Sequence, residues 1–489
     1  MNNRINLLFF PLLFILASLG ILASYGSPAS DVRLKNASGA GKNMNVLLII
    51  VDDLRPELGC YKTTQVKSPH IDQIAREGIL FTRTYCQVPI CGASRASFLS
   101  GLRPTSNRFL NYDSRVDEDA PGHMTLPGLF KTNGYFTISN GKVFHIPKDA
   151  ETMSWSEPAW EPLFSHKGFI EEDSYQYIGG TRTRTRGPWY EGADVDDFQY
   201  TDGETTLKTI ADLKRMKKED KSFFIACGLH RPHLPFYIPK KYWDLYEKDK
   251  IQLAQNRYMP DSIPSSLRAS GDFNFYHHKN IKFNSDEFHK VARHGYYACV
   301  SYIDQLIGYL MDALKELDLE KNTIVMIIGD HGWHLGEHNL WSKHNLLHNA
   351  THSPMILKIP GGPSNSRITA LTEFVDIYPT LADLAELEIP TEMLNNLQGL
   401  SMLPLINNDQ TSLKNGAFCR FQNGETIVTD RYSYTEYIKE NGVIERMLFD
   451  LQTDPEENIN LLAEPGNEEL IIKLDKRLHN GWKNAILTK

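Results

Sequence analysis

The chain has 489 residues, 41% of them hydrophobic and 23% charged, with 52 Lys and Arg against 60 Asp and Glu. That length exceeds the size at which a single core stops growing, so a large domain with a smaller one is expected, and the composition excludes a disordered chain. A formal charge of −8 argues against a nucleic-acid partner, which requires a net basic footprint, so any anionic ligand must be held by locally clustered cationic side chains or by metal.

The first residues, Met1-Asn-Asn-Arg4, precede an apolar run from Ile5 to Ala23 and a small-residue stretch near Ser24 to Ser27. This order predicts a signal peptide over 1–26, with an uncleaved anchor helix as the competing reading. A Ser/Gly/Ala/Asn-rich leader over 27–44 follows. The expectation is an exported protein, periplasmic or secreted, with no stable membrane anchor. Val46-Leu-Leu-Ile-Ile-Val51 reads as a strand buried on both faces, ending in Asp52-Asp53, with a helical pattern around Ile71 to Glu77 soon after. Ser222 to Gly228 and Thr323 to Gly329 have the same buried-strand character, the second ending in Asp330-His331, and Phe288 to Leu317 carries helical periodicity. Strand–helix alternation predicts an α/β domain over 45–405 with its ligand site beyond the carboxyl ends of the strands. The stretch from Asp149 to Tyr200 has loop composition. After Leu405 the pattern shortens to alternating runs at Glu425–Thr429 and Tyr432–Tyr437, then a helix from about Glu468, which predicts a smaller α+β subdomain over 406–489.

Adjacent carboxylates at a buried strand end repel one another unless a cation lies between them, so Asp52 and Asp53, together with Asp330, ask for a metal that prefers hard oxygen ligands, Ca²⁺ or Mg²⁺. Strand-ending turn residues are the plainer reading of either pair alone. The segment Cys91-Gly-Ala-Ser94-Arg95, continuing as Ala96-Ser-Phe-Leu-Ser-Gly-Leu-Arg-Pro104, is the most specific signal. Here the chain resembles the type I, formylglycine-dependent sulfatases, whose signature is Cys or Ser-x-Pro/Ala-x-Arg. Ala93 stands where many members carry Pro. The resemblance runs from about Asn45 to the Leu448–Leu461 segment, and Gly141-Lys142-Val-Phe-His145, Leu229 to Pro235 and Gly329 to Glu337 look most like iduronate-2-sulfatase and exported bacterial polysaccharide sulfatases.

The resemblance implies an alkaline-phosphatase-like fold with a large mixed central sheet flanked by helices, plus a C-terminal subdomain with an antiparallel sheet. It implies oxidation of Cys91 to formylglycine by a separate maturing enzyme. The aldehyde's hydrate offers two hydroxyls on one carbon, one to attack sulfur and one to expel sulfate. One calcium ion is implied at Asp52, Asp53, Cys91, Asp330 and His331, the last being Asn in several members. Arg95 and Lys142 match groups that stabilise the hydrated aldehyde, and His145 matches the base that releases sulfate. His230 and Lys343 match sulfate-binding residues, one of which protonates the leaving alcohol. Lys142 and His145, three apart, face one site if that turn is helical.

The implied substrate is a sulfated polysaccharide or its oligosaccharides, with an ulvan-like or other uronic-acid-containing glycan favoured. Arg182, Arg184, Arg186 and Trp189 offer a basic and aromatic element for an anionic sugar, and a solvated edge strand is the alternative. His277, His278 and Lys279 read as another rim element or a plain loop. Six cysteines leave room for one or two disulfides. The rival functions are a phosphodiesterase or phosphonate hydrolase of the same fold and a catalytically silent glycan-binding relative.

Overall fold

In the computed structural model the described residues are 44–63, 65–162, 170–171, 173–174 and 186–487. The expected signal peptide and leader up to residue 43, and both Arg182 and Arg184, lie outside them. Seven strands form the central sheet: β1 (Asn45–Val51), β2 (Ile79–Phe81), β3 (Phe136–Gly141), β4 (Phe223–Leu229), β5 (Thr323–Gly329), β6 (Met355–Lys358) and β7 (Ser366–Ile368). Their spatial order is β7-β2-β6-β5-β1-β4-β3. The sheet is mixed. β1 runs parallel to β4 and β5, and β3 parallel to β4, whereas β6 runs antiparallel to β5 and β2.

Every residue of β1, β4 and β5 is buried, which is why these strands read as continuous apolar runs. The register places the chemistry. Val51 lies between Leu229 and Gly329, and Gly141 lies opposite Gly228. The residues that follow Val51, Leu229, Gly329 and Gly141, namely Asp52, His230, Asp330 and Lys142, therefore emerge together at the carboxyl edge of the sheet.

Four helices matter to the argument: α1 (Pro69–Glu77), α2 (Cys91–Ser100), α3 (Thr201–Glu219) and α4 (Asp286–Glu316). The whole of α2 is buried, unlike the amphipathic α1, whose Ile71, Ile74 and Ala75 alone turn inward. α4 begins where the Ser285 hydroxyl accepts from the Phe288 N–H at 3.2 Å, and it sinks Tyr296, Tyr297 and Tyr302 into the core.

After Ile406 the chain forms an antiparallel meander of β8 (Ala417–Phe421), β9 (Gly424–Val428), β10 (Tyr432–Ile438) and β11 (Ile444–Asp450). One face is covered by α5 (Glu468–Asn480), whose Leu474 and Leu478 pack on Ile427, Tyr434 and Leu448. A buried ionic group binds this sheet to the segment before it. Glu373 accepts from both terminal nitrogens of Arg103, at 2.6 and 2.5 Å, and Lys414 Nζ reaches Glu373 at 2.9 Å and Asp376 at 2.6 Å. All six cysteines are free thiols, so the room left for disulfides is not used.

Candidate active site

Cys91 is the first residue of α2, and Gly92 is the second. A Cβ at Gly92 would lie 2.0 Å from the Tyr112 carbonyl oxygen, so the helix start is pressed against backbone. Its free N–H groups favour negative charge beside Cys91. Cys91 Sγ stands 3.3 Å from Asp52 Oδ1 and 3.2 Å from His331 Nε2. His331 Nε2 is in turn 3.6 Å from both Asp53 Oδ1 and Asp330 Oδ1. Its Nδ1 lies 3.0 Å from the Gly332 carbonyl, which fixes the proton there and turns the Nε2 lone pair into the cluster.

Asp53 sits at φ 63°, a left-handed conformation that a non-glycine residue holds only when its surroundings compel it. Its N–H donates to Asp330 Oδ1 at 3.0 Å, and its carbonyl accepts from the Tyr296 hydroxyl at 2.8 Å. Burial raises its carboxyl well above the ordinary range, Lys343 opposing and Asp52 reinforcing the rise. Asp53 Oδ2 is buried without a hydrogen-bond partner. Ligand atoms of Asp52, Cys91, Asp330 and His331 all lie within 4.8 Å of one another. A buried cluster of three carboxylates with an unsatisfied oxygen fits a hard divalent cation.

Cations surround this acidic centre. Arg95 is fully buried; its Nε donates to Asp330 Oδ2 at 2.9 Å and its Nη1 to the Val143 carbonyl at 3.0 Å, while Nη2 has no hydrogen-bond partner and stands 3.6 Å from Asp52 Oδ1. Lys142 Nζ pairs with Asp52 Oδ2. Burial would raise the Asp52 carboxyl, but Lys142, aided by Arg95, outweighs it and holds the group well below its usual range. Lys343 Nζ lies 2.7 Å from Asp53 Oδ1 and 3.5 Å from Asp272 Oδ2. The residues on either side of it, Ser342 at φ 72° and His344 at φ 71°, are both left-handed, so the loop spends backbone strain at this lysine.

The segment after β3 is a bend and not a helical turn, which corrects the condition set on Lys142 and His145. Gly141 makes the bend at φ +69°, where a Cβ would lie 2.3 Å from the Gly228 carbonyl. His145 still reaches the site: burial, then Lys142, push its imidazole down to about 3, with Asp52 opposing. Its Nδ1 is buried and has no partner. His230 is likewise held well below its usual value by burial and then Lys142.

Trp189 is a correction. It is 0% exposed and stacks on Phe288 with ring centroids 5.0 Å apart, so it is core and faces no substrate. The Arg/Thr alternation before it carried no sign that the aromatic belonged to a different layer. Arg186 is exposed, with its guanidinium 4.7 Å from the Phe275 ring centroid. His278 is buried, its Nε2 2.9 Å from the Phe273 carbonyl, which removes it from any rim.

The structure adds residues that the sequence left without roles. His233 Nε2 lies 3.8 Å from Asp53 Oδ2, and its Nδ1 lies 2.5 Å from the Leu234 carbonyl. Asp202, the second residue of α3, accepts from the His230 and Arg231 N–H groups at 2.5 and 3.2 Å. Asp272 accepts from the Ser342 hydroxyl at 2.5 Å beside Lys343. The repeated His-x-x-His spacing at 230 and 233 was the only available signal. Nothing local marked Asp202 or Asp272.

Comparison with known proteins decides the family. The model of the sulfatase family matches residues 44–387, and that of the N-sulphoglucosamine sulphohydrolase C-terminal region matches 336–484. The chain belongs to the sulfatase family. It is a sulfuric ester hydrolase by that membership. Human iduronate 2-sulfatase is 36% identical over 398 residues, covering 71% of this chain and 70% of that protein. A sulfatase of Formosa agariphila is 31% identical over 437 residues, covering 85% and 82%. A structure solved in complex with its substrate, D-glucosamine-2-N,6-O-disulfate, superposes with a TM-score of 0.72 at 20% identity, covering 91% of this sulfatase and 98% of that chain. The superposition places this sulfatase in the alkaline-phosphatase-like fold. The family generally uses formylglycine and a metal ion.

Proposed function

We propose that this sulfatase hydrolyses sulfate esters of a sulfated glycan, with a uronic-acid-containing polymer or its oligosaccharides favoured, through formylglycine formed at Cys91 by a maturing enzyme and one calcium ion. The observation that carries this reading is the convergence of Asp52, Asp53, Asp330 and His331 on Cys91 Sγ at the first turn of α2. As a thiol, Cys91 is a poor nucleophile: burial, then the Asp52 carboxylate, push it up to about 12. Converted, the residue supplies geminal hydroxyls, one for attack on sulfur and one for later release of sulfate.

The other groups have roles that follow from their atoms. Asp52, Asp53, Asp330 and His331 would hold the calcium ion, which supplies Lewis-acid charge beside the modified residue. Calcium suits the cluster better than zinc because carboxylate oxygens predominate. Arg95, Lys142 and Lys343 set fixed positive charge where the sulfate ester's charge shifts as its bond to the leaving oxygen breaks. His145 is neutral at working pH, and its unpartnered Nδ1 can take the proton whose loss releases sulfate. Lys343 gives a proton, or neutral His230 a hydrogen bond, to the leaving oxygen. His233, with Nδ1 turned to the Leu234 carbonyl, presents Nε2 as an acceptor for a sugar hydroxyl.

The glycan assignment is supported by iduronate 2-sulfatase among the relatives and by the disulfated glucosamine complex. It accords with export to the periplasm or medium, for which the apolar N-terminal run is the support. Among the described residues no helix is long and apolar enough to cross a membrane. The test is free sulfate measured by ion chromatography after incubation with a panel of sulfated uronate-containing and uronate-free oligosaccharides. Release from a uronate-containing member, lost on calcium chelation and restored by calcium, is the expected result. No release from any glycan by protein with confirmed formylglycine contradicts the reading.

A further inference from the structure

A second cationic feature lies among residues that take no part in the Cys91 cluster. Between β9, β10 and α5 there is a cavity of about 510 Å³ lined by three cations, Arg431, Lys473 and Arg477, and by one acid, Asp430. Asp430 pairs with Arg83 at 3.0 Å, and Arg431 pairs with Asp450 at 2.7 Å. Among the described residues, neither Lys473 nor Arg477 has a carboxylate within ion-pair distance. The Arg477 guanidinium is fixed by Asn415, whose Oδ1 accepts at 2.9 Å. Burial pushes Arg477 down, and Asp430 opposes this only in part. A half-buried guanidinium held in place without a carboxylate gains from an anion, above all one with forked oxygens.

The rest of the lining narrows the class of anion. The amides of Asn480 and Asn484 stand on the α5 side, and Ile427, Leu470 and Leu474 form an apolar floor. The Arg431 guanidinium lies 5.0 Å from the centroid of the Tyr432 ring. An apolar floor meets the C–H face of a sugar ring, amides meet its hydroxyls, and arginine and lysine meet sulfate. A bare anion site needs neither amides nor floor.

We propose that this groove is an ancillary site for a stretch of sulfated glycan chain, holding polymer to the enzyme while another stretch is presented to Cys91. The proposal rests on the glycan reading of the active site. By adding a second point of attachment it raises the effective concentration of the chain without altering the chemistry.

The test uses the full-length protein, Lys473→Glu and the pair Lys473→Glu with Arg477→Gln; the single variant leaves the Asn415 contact intact. The probe is immobilised dextran sulfate, with 4-methylumbelliferyl sulfate hydrolysis read in parallel. Lys473→Glu should bind the polymer about tenfold more weakly, the equivalent of losing one charge-assisted contact, and the pair more weakly still, with unchanged turnover of the small ester by both. Equal retention of wild type and both variants overturns the proposal. So does displacement by inorganic sulfate at matched sulfate concentration, which identifies a simple anion site. Should wild type with confirmed formylglycine release sulfate from no glycan, the glycan-sulfatase reading fails, and the retention comparison still decides the groove.

Discussion

On the proposed reading two demands meet at Cys91: the residue would have to be reached by a modifying enzyme before it is enclosed, and afterwards lie among charges that no solvent screens. Arg95 shows how closely the second demand is met. One side chain contacts Asp330, Val143 and the edge of Asp52 in three directions, which a planar guanidinium can do and a single ammonium cannot. Arg95→Lys is therefore expected to lower kcat by at least about 10²-fold, as removal of one preorganised donor does, with a smaller change in KM. Steady-state kinetics on one sulfate ester checks this, and an unchanged kcat refutes the role. At this scale the sequence was legible where chemistry and position coincided. Asp52, Asp53 and Asp330 ended buried strands, and Arg95 lay one helical turn from Cys91. Trp189 was misread because an aromatic beside arginines reads alike whether it points to sugar or core. His233 was passed over because His230 and His233 are equivalent in sequence, and only the fold sets one beside Asp53.

The elements owe their placement to register and caps. β1, β4 and β5 were legible as continuous apolar runs, and the register holds Asp52, His230 and Asp330 level through the ladder itself. The sequence could not show that β6 reverses direction, since Met355–Lys358 is too short for its pattern to carry orientation. Nor could it show the bend after Gly141, which exists because the Gly228 backbone comes too close for a side chain. α4 buries the tyrosine whose hydroxyl holds the Asp53 carbonyl, so its stability bears on the site. Ser285→Ala removes the acceptor for the Phe288 N–H and is expected to cost about 1 kcal/mol, read as a lower urea midpoint with an unchanged slope. Ser285→Asp should recover most of it. A Ser285→Ala midpoint equal to wild type would contradict the cap's contribution.

For the whole molecule, several titratable groups are buried away from the active site, and they set how stability varies with pH. Glu457 is the clearest: burial raises its carboxyl to about 8 even though the His348 N–H donates to it. A carboxyl whose folded pKa lies above its unfolded value binds its proton more tightly when folded. Its contribution is thus complete below the unfolded value and is lost as pH rises through about 8. The slope from this group is at most about 1.4 kcal/mol per pH unit. Glu457→Gln keeps an acceptor for His348 and removes the titration, so its melting temperature should exceed that of wild type increasingly between pH 5 and 8. Parallel curves for the two proteins would show that Glu457 is not protonated in the fold.

The central claim is that catalysis depends on conversion of Cys91 within its ring of carboxylates and cations. It is tested most directly by preparing the protein with graded amounts of maturing enzyme, then measuring the converted fraction of the Cys91 peptide by mass and sulfate release from the same samples. The account predicts specific activity proportional to the converted fraction and passing through zero when conversion is zero. Full activity in protein whose Cys91 remains a thiol would contradict it.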